Sequence, residues 1–276
     1  MRLLPVLASL ASMACLTTAA SITNTVEFDL VYPRDNQSYH PTPHMPVVFA
    51  IQNPKLAQNL HPYITFRVQS TTDASAGKGT TYNLTKELTW ATADTAKNTP
   101  YFVYTFVDAF AKEGGWTIWW NVYWTSCKTD RAGEFHGETT TNKTATTSIL
   151  LKTSIKNGQA VDLLATNDLP CGALPAFVLD DVDDELLEVT GAKSGFKSCV
   201  KVSPAADSWT PATLCDVKFD DEIAGNVTDA LADLCASEEG CPGKTVTDGE
   251  KENSAGRVAG GMALAGVFGV LVLLLA

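Results

Sequence analysis

The sequence predicts an all-β protein: an antiparallel, immunoglobulin-like β-sandwich followed by a disulfide-rich C-terminal segment that carries one short helix. Three observations carry the prediction. Stretches rich in Val, Ile, Thr, Tyr and Trp recur from residue 26 to residue 152, several of them alternating apolar and polar side chains. Turn residues separate them at the spacing of a sandwich. No helical periodicity of any length appears before residue 180.

The elements follow in order. Residues 26–31 alternate apolar and polar side chains and stop at Pro33. Pro46 precedes a dense apolar run at 47–51, which ends at Asn53-Pro54. Residues 63–68 alternate again, and further strands are expected at 81–90, 101–106, 116–125 and 145–152. Beyond these, short strands are expected at 161–164, 176–179, 198–202 and 214–219. Residues 220–235 form the one good helical pattern. Acidic residues sit in its first turn, and Ile223, Val227, Leu231 and Leu234 mark an apolar stripe. Residues 21–158 then make the sandwich. Residues 159–241 continue the same unit, because that segment has little apolar mass of its own. Residues 242–253 read as a polar stalk.

The two ends read as processing signals. Residues 1–20 have a short basic start at Arg2, an apolar stretch at 3–16 and small residues at 18–20, the pattern of a secretory signal peptide. At the other end, residues 253–256 offer consecutive small residues, followed by a short spacer. The apolar tail at 262–276 is shorter than the ~20 residues a membrane span needs. That is the three-part pattern of a glycosylphosphatidylinositol signal, with Asn253 as the attachment residue and 254–276 removed. The expected location is the cell surface: the outer leaflet of the plasma membrane or the cell wall.

Processing leaves 31 acidic against 18 basic side chains, a net charge of −13. Phosphate binding needs clustered Lys and Arg, so nucleic acid is an unsuitable partner. Cys15 leaves with the signal, and Cys127, Cys171, Cys199, Cys215, Cys235 and Cys241 remain. An even count in an exported chain predicts three disulfides, with fifteen pairings open. Zinc competes poorly, since no C-x2-C pair exists. Four glycosylation sequons begin at Asn36, Asn83, Asn142 and Asn226, and each is expected on an exposed loop or strand edge.

Two N-terminal motifs, residues 26–33 and 46–54, resemble the opening of a fungal family of secreted proteins of unknown function. The tryptophan-rich strand ending at Cys127 and the later cysteine series are similar to that family too, over nearly all of residues 24–241. The resemblance implies a fungal surface protein, often with an anchor signal. It carries over no catalytic residue.

The most unusual segment is residues 116–124, with Trp116, Trp119, Trp120, Tyr123 and Trp124. Strand geometry puts Trp116, Ile118, Trp120, Val122 and Trp124 on one face, expected to be core, and Trp119, Asn121 and Tyr123 on the other. Trp119 and Tyr123 are therefore candidates for stacking on sugars, unless the C-terminal segment packs over them. The acidic cluster at 180–185 lacks the spacing of a calcium loop and reads as a solvated turn. His40, His44, His61 and His136 form no ligand pattern, and no nucleophile elbow, zinc-protease helix or phosphate loop occurs. No catalytic residue, metal or cofactor is assigned. The expected function is that of an anchored surface glycoprotein, structural or binding, whose partners are the membrane and wall polysaccharide. The competing expectation is an extracellular carbohydrate-active enzyme.

Overall fold

The computed structural model describes residues 24–73, 75, 77, 79–84, 100–144, 146–169, 177–179, 182–190, 195–202 and 217–236. The expected signal peptide, the stalk, Asn253, the anchor signal, Cys171, Cys215 and Cys241 lie outside the described residues.

Two antiparallel sheets face each other. The first contains β1 (Val26–Tyr32), β3 (Met45–Gln52), β6 (Tyr101–Val107) and β10 (Phe177–Leu179), in the order β10-β1-β3-β6. The second contains β2 (Gln37–Tyr39), β4 (Tyr63–Ser70), β5 (Thr80–Asn83), β7 (Gly114–Thr129), β8 (Phe135–Lys143) and β9 (Thr147–Thr153). Its order is β2-β9-β7-β4-β5, with β8 pairing the far half of β7. The chain thus starts in one sheet and crosses at once to the other, where β2 runs parallel to β9. Tyr32, at the end of β1, meets Tyr39 edge to face with ring centroids 5.3 Å apart, and the Arg34 amide donates to the Tyr39 hydroxyl at 2.8 Å. These contacts, all deeply buried, fix the crossing.

Period-two alternation sorts the side chains between the sheets. Phe49 of β3 meets Phe66 of β4 at 6.0 Å and Trp120 of β7 at 5.3 Å. Ile118, Trp120, Val122 and Trp124 are all buried, as the alternation of β7 predicts. β3 is buried along nearly its whole length, on both faces. A second cover explains this. The short helix α1 (Pro54–Ala57) follows β3, and the C-terminal helix α2 (Asp221–Cys235) and the preceding residues pack against the outer side of the first sheet. Phe219 stacks on Phe102 at 5.5 Å, and Ala224 and Val227 join the same hydrophobic cluster as β3. A strand with both faces covered reads as a continuous apolar run, as residues 47–51 do.

Several expected elements differ. Residues 161–164 are not a strand. The Asp162 carboxylate accepts from the Ala165 amide and opens a 3-10 turn, Leu164–Asp168, instead. Nor do residues 217–219 form a strand. The side chain of Asn167 takes the partner's place, its amide donating to the Phe219 carbonyl and its oxygen accepting from the Phe219 amide, both at 2.8 Å. Of residues 198–202, only β12 (Ser198–Cys199) is a strand, paired with β11 (Leu187–Glu188); Val202 makes an isolated bridge to Val182. Residues 85–90 and 214–216 lie outside the described residues. In α2 the stripe shifts: Leu234 is 43 % exposed, and Cys235, held in a disulfide, takes the buried place of the last turn.

Candidate functional site

The outer face of the second sheet is built by register. Tyr63 pairs with Tyr123, Thr65 with Asn121 and Arg67 with Trp119 across β4 and β7; Lys143 of β8 pairs with Tyr123 from the other side. All of these project to one face, because each lies two or four residues from the next along its strand. Tyr63 and Tyr123 stack with centroids 4.4 Å apart and planes 5° from parallel. Burial and the neighbouring Tyr123 push the Tyr63 phenol above its ordinary range. Lys143 Nζ lies 5.4 Å from the centroid of Tyr123, and the Arg67 guanidinium lies 4.6 Å from that of Trp119. Trp119 and Tyr123 are half-buried and belong to this face, as alternation places them. Their rings are edged by cations and by each other's neighbours.

Asn121, at the centre of the face, donates to Thr146 Oγ1 at 3.0 Å and to the Thr144 carbonyl at 3.3 Å. Those bonds use both hydrogens of its amide, and the residue is buried. The face presents aromatic rings, hydroxyls and two cationic heads. The signal for Arg67, Tyr63 and Lys143 is absent from β7 itself; only the pairing of β4 and β8 with it brings them in.

The first sheet holds a carboxyl pair that no sequence motif marks. Glu27 and Asp29 share the outer side of β1, and Glu27 is 1 % exposed. Burial pushes the Asp29 carboxyl up to about 6, against the lowering effect of hydrogen bonds from Glu27 and Gln52 and the charge of Arg34. Gln52 Nε2 donates to Asp29 Oδ2 at 3.1 Å. Two carboxyls in hydrogen-bond contact leave no room for a sugar or a water between them. A glycosidase pair stands about 5–9 Å apart, so this pair does not fit that chemistry.

One group among the described residues could hold a cation. Asp130, Glu134 and His136, in and beside the β7–β8 turn, bring ligand-type atoms within 4.8 Å of one another. Their hydrogen bonds already account for the arrangement: Asp130 accepts from the amides of Ala132 and Glu134, and its other oxygen meets His136 Nε2 at 3.1 Å. The bond to His136 is the main cause holding the Asp130 carboxyl below its usual range. His40 is exposed, His44 is half-buried, and His61 stacks on Phe196 at 4.1 Å, where burial lowers its imidazole. In the acidic cluster, Asp184 and Glu185 are exposed while Asp180 and Asp181 lie outside the described residues.

Cys127 and Cys199 form a disulfide that ties the end of β7 to β12. Cys235 is also disulfide-bonded. Asn36, Asn83 and Asn226 are exposed, Asn83 on the edge strand β5 and Asn226 on α2. Asn142 is half-buried in β8. Its amide donates to Ser126 Oγ at 3.0 Å, and the hydroxyl of Thr144, the third residue of its sequon, accepts from the Val122 amide. No helix among the described residues is long and apolar enough to cross a membrane.

No curated protein and no solved structure matches the chain. A family match does, over residues 21–246, which takes in both sheets, the disulfide and α2. The chain belongs to the family DUF7136, a domain of unknown function.

Proposed function

We propose that the protein is an exported, glycolipid-anchored glycoprotein of a fungal cell surface or wall, and that its sandwich binds polysaccharide. The outer face of the second sheet carries this reading. Half-exposed Tyr63, Trp119 and Tyr123 lie on neighbouring strands with Thr65, Arg67 and Asn121 between them. Aromatic rings supply apolar contact area to sugar rings, and hydroxyls and cations bond their hydroxyls. Location rests on the two terminal signals of the sequence and on its sequons.

Retention of the full-length glycosylated protein on insoluble glucan, mannan, chitin and pectic polymers tests the binding. At least one polymer retains the protein, and Trp119→Ala weakens that retention. If every polymer fails to retain it, the reading is wrong. The location has its own test: phosphatidylinositol-specific phospholipase releases the protein from membranes, whereas release by detergent alone sinks the anchor.

A further inference from the structure

The charge on this face differs from that of the chain. The protein has 31 acidic and 20 basic residues. Yet at the described positions that register on the outer face, the charged side chains are Arg67, Lys143 and Lys152. None is Asp or Glu. Asp35 stands at the β9 edge of the sheet, but its carboxylate accepts from the Leu150 amide and from Asn36. The exposed pair Lys128 and Glu138 belongs to the opposite side of the β7–β8 ribbon.

Among the described residues, Arg67 and Lys143 are set against aromatic rings, not against carboxylates. A ring face steadies a cation without neutralising it, so the full charge remains available to a ligand. Arg67 Nε is buried without a hydrogen-bond partner among the described residues, a donor that ordinarily finds an acceptor. Along β7 the two cations are four residues apart, and across the sheet two strands apart. Strand dimensions therefore separate them by about 16 Å, the span of a few sugar units in an extended chain.

Deepening the polysaccharide reading, and resting on it, we infer that the ligand is acidic: an extended polysaccharide carrying carboxylates, with two of them meeting Arg67 and Lys143 while the units between lie on Trp119 and Tyr123. A carboxylate meets a guanidinium in the forked geometry that the two groups favour. Denser polyanions fit less well. With a net charge of −11, the rest of the molecule repels them, and three cations cannot offset the charge of nucleic acid.

The test compares the full-length glycosylated protein on polygalacturonate, on its methyl-esterified form and on a neutral glucan, at low and high salt. Retention on polygalacturonate exceeds that on the ester several-fold at low salt and falls as salt rises, because exposed charge pairs are screened. Arg67→Gln and Lys143→Gln each reduce it several-fold. Arg67→Lys keeps the charge but loses the fork and falls between the wild type and Arg67→Gln, and Lys128→Gln, on the other side, changes nothing. Tryptophan fluorescence shows whether each variant keeps its fold. Equal, salt-independent retention on the acid, ester and neutral polymers, unmoved by Arg67→Gln and Lys143→Gln, overturns the acidic inference and leaves the polysaccharide reading standing. Failure to bind any polymer overturns both.

Discussion

Tyr63 and Tyr123 lie ring to ring across β4 and β7, 4.4 Å apart, on a sheet face that solvent reaches. Such a cross-strand pair joins sheet stability to whatever the face binds.

The pair is therefore expected to be coupled. Tyr63→Ala and Tyr123→Ala each destabilise the protein, and a double-mutant cycle gives an interaction of about 0.5–1.5 kcal/mol. Urea denaturation of the two single variants and the double variant measures it. Strict additivity would show that the stacked geometry contributes nothing beyond burial.

Asp29 gives the stability a particular pH dependence. Its carboxyl, ordinarily ionised above 3.8, is pushed up to about 6 by burial. The folded state therefore holds its proton where the unfolded chain has released it. This contribution is full below about pH 4 and is lost as the pH rises through about 6. Asp29→Asn keeps a neutral group at every pH. It is expected to gain on the wild type by on the order of 1–3 kcal/mol between pH 4 and pH 7. Denaturation curves at the two pH values decide this; an equal difference at both would mean that Asp29 is not held protonated.

The Cys127–Cys199 bond closes a loop with a sequence separation of 72. Replacing both residues with Ser is expected to cost about 2–5 kcal/mol. It should also make the β11–β12 region the first site of cleavage in limited proteolysis, since β12 is held to β7 there. A variant as stable and as protease-resistant as the wild type would contradict this.

At the start of α2, the Asp220 carboxylate accepts from the Ile223 amide at 2.8 Å. Asp220→Ala is expected to cost about 1 kcal/mol, while Asp220→Asn retains most of the cap. Because α2 covers the outer side of the first sheet, thermal melts followed by tryptophan fluorescence should report the loss. Equal melting of the Ala and Asn variants would remove the cap from the account.

Asn83 registers opposite Thr65, on the same face as Arg67 and Asn121. A glycan at this edge would hang over the binding surface. Asn83→Gln is expected to increase retention on polygalacturonate and Asn226→Gln to leave it unchanged; the reverse pattern would count against this placement.

How much of this was legible depended on how each strand is buried. β1, β4, β6 and β7 announce themselves because one face meets the other sheet, and β3 because both faces are covered. β8 escaped notice. Its nine residues run Phe-His-Gly-Glu-Thr-Thr-Thr-Asn-Lys, and backbone pairing with β7 holds it in place rather than an apolar face. Gly137, at φ 82, admits Thr190 so closely that a Cβ would collide with its hydroxyl. Nothing in the local pattern foretells that approach. The same division holds for the site. Parity alone put Trp119 and Tyr123 on one face, whereas Arg67, Tyr63 and Lys143 join them through register between distant segments. Alternation likewise puts Glu27 and Asp29 on a polar face, and only the structure shows that Glu27 is buried there.

β10 has a consequence for the order in which the molecule is made. It pairs with the first strand, Val26 opposite Leu179 and Phe28 opposite Phe177. During synthesis, that side of β1 stays open until the chain has grown by roughly 150 further residues, several seconds at ordinary elongation rates. Until then, an apolar strand with a bare edge stands ready to pair with a neighbouring chain. The protein is complete only when its last third arrives, so a truncation before Phe177 should aggregate rather than yield a smaller sandwich.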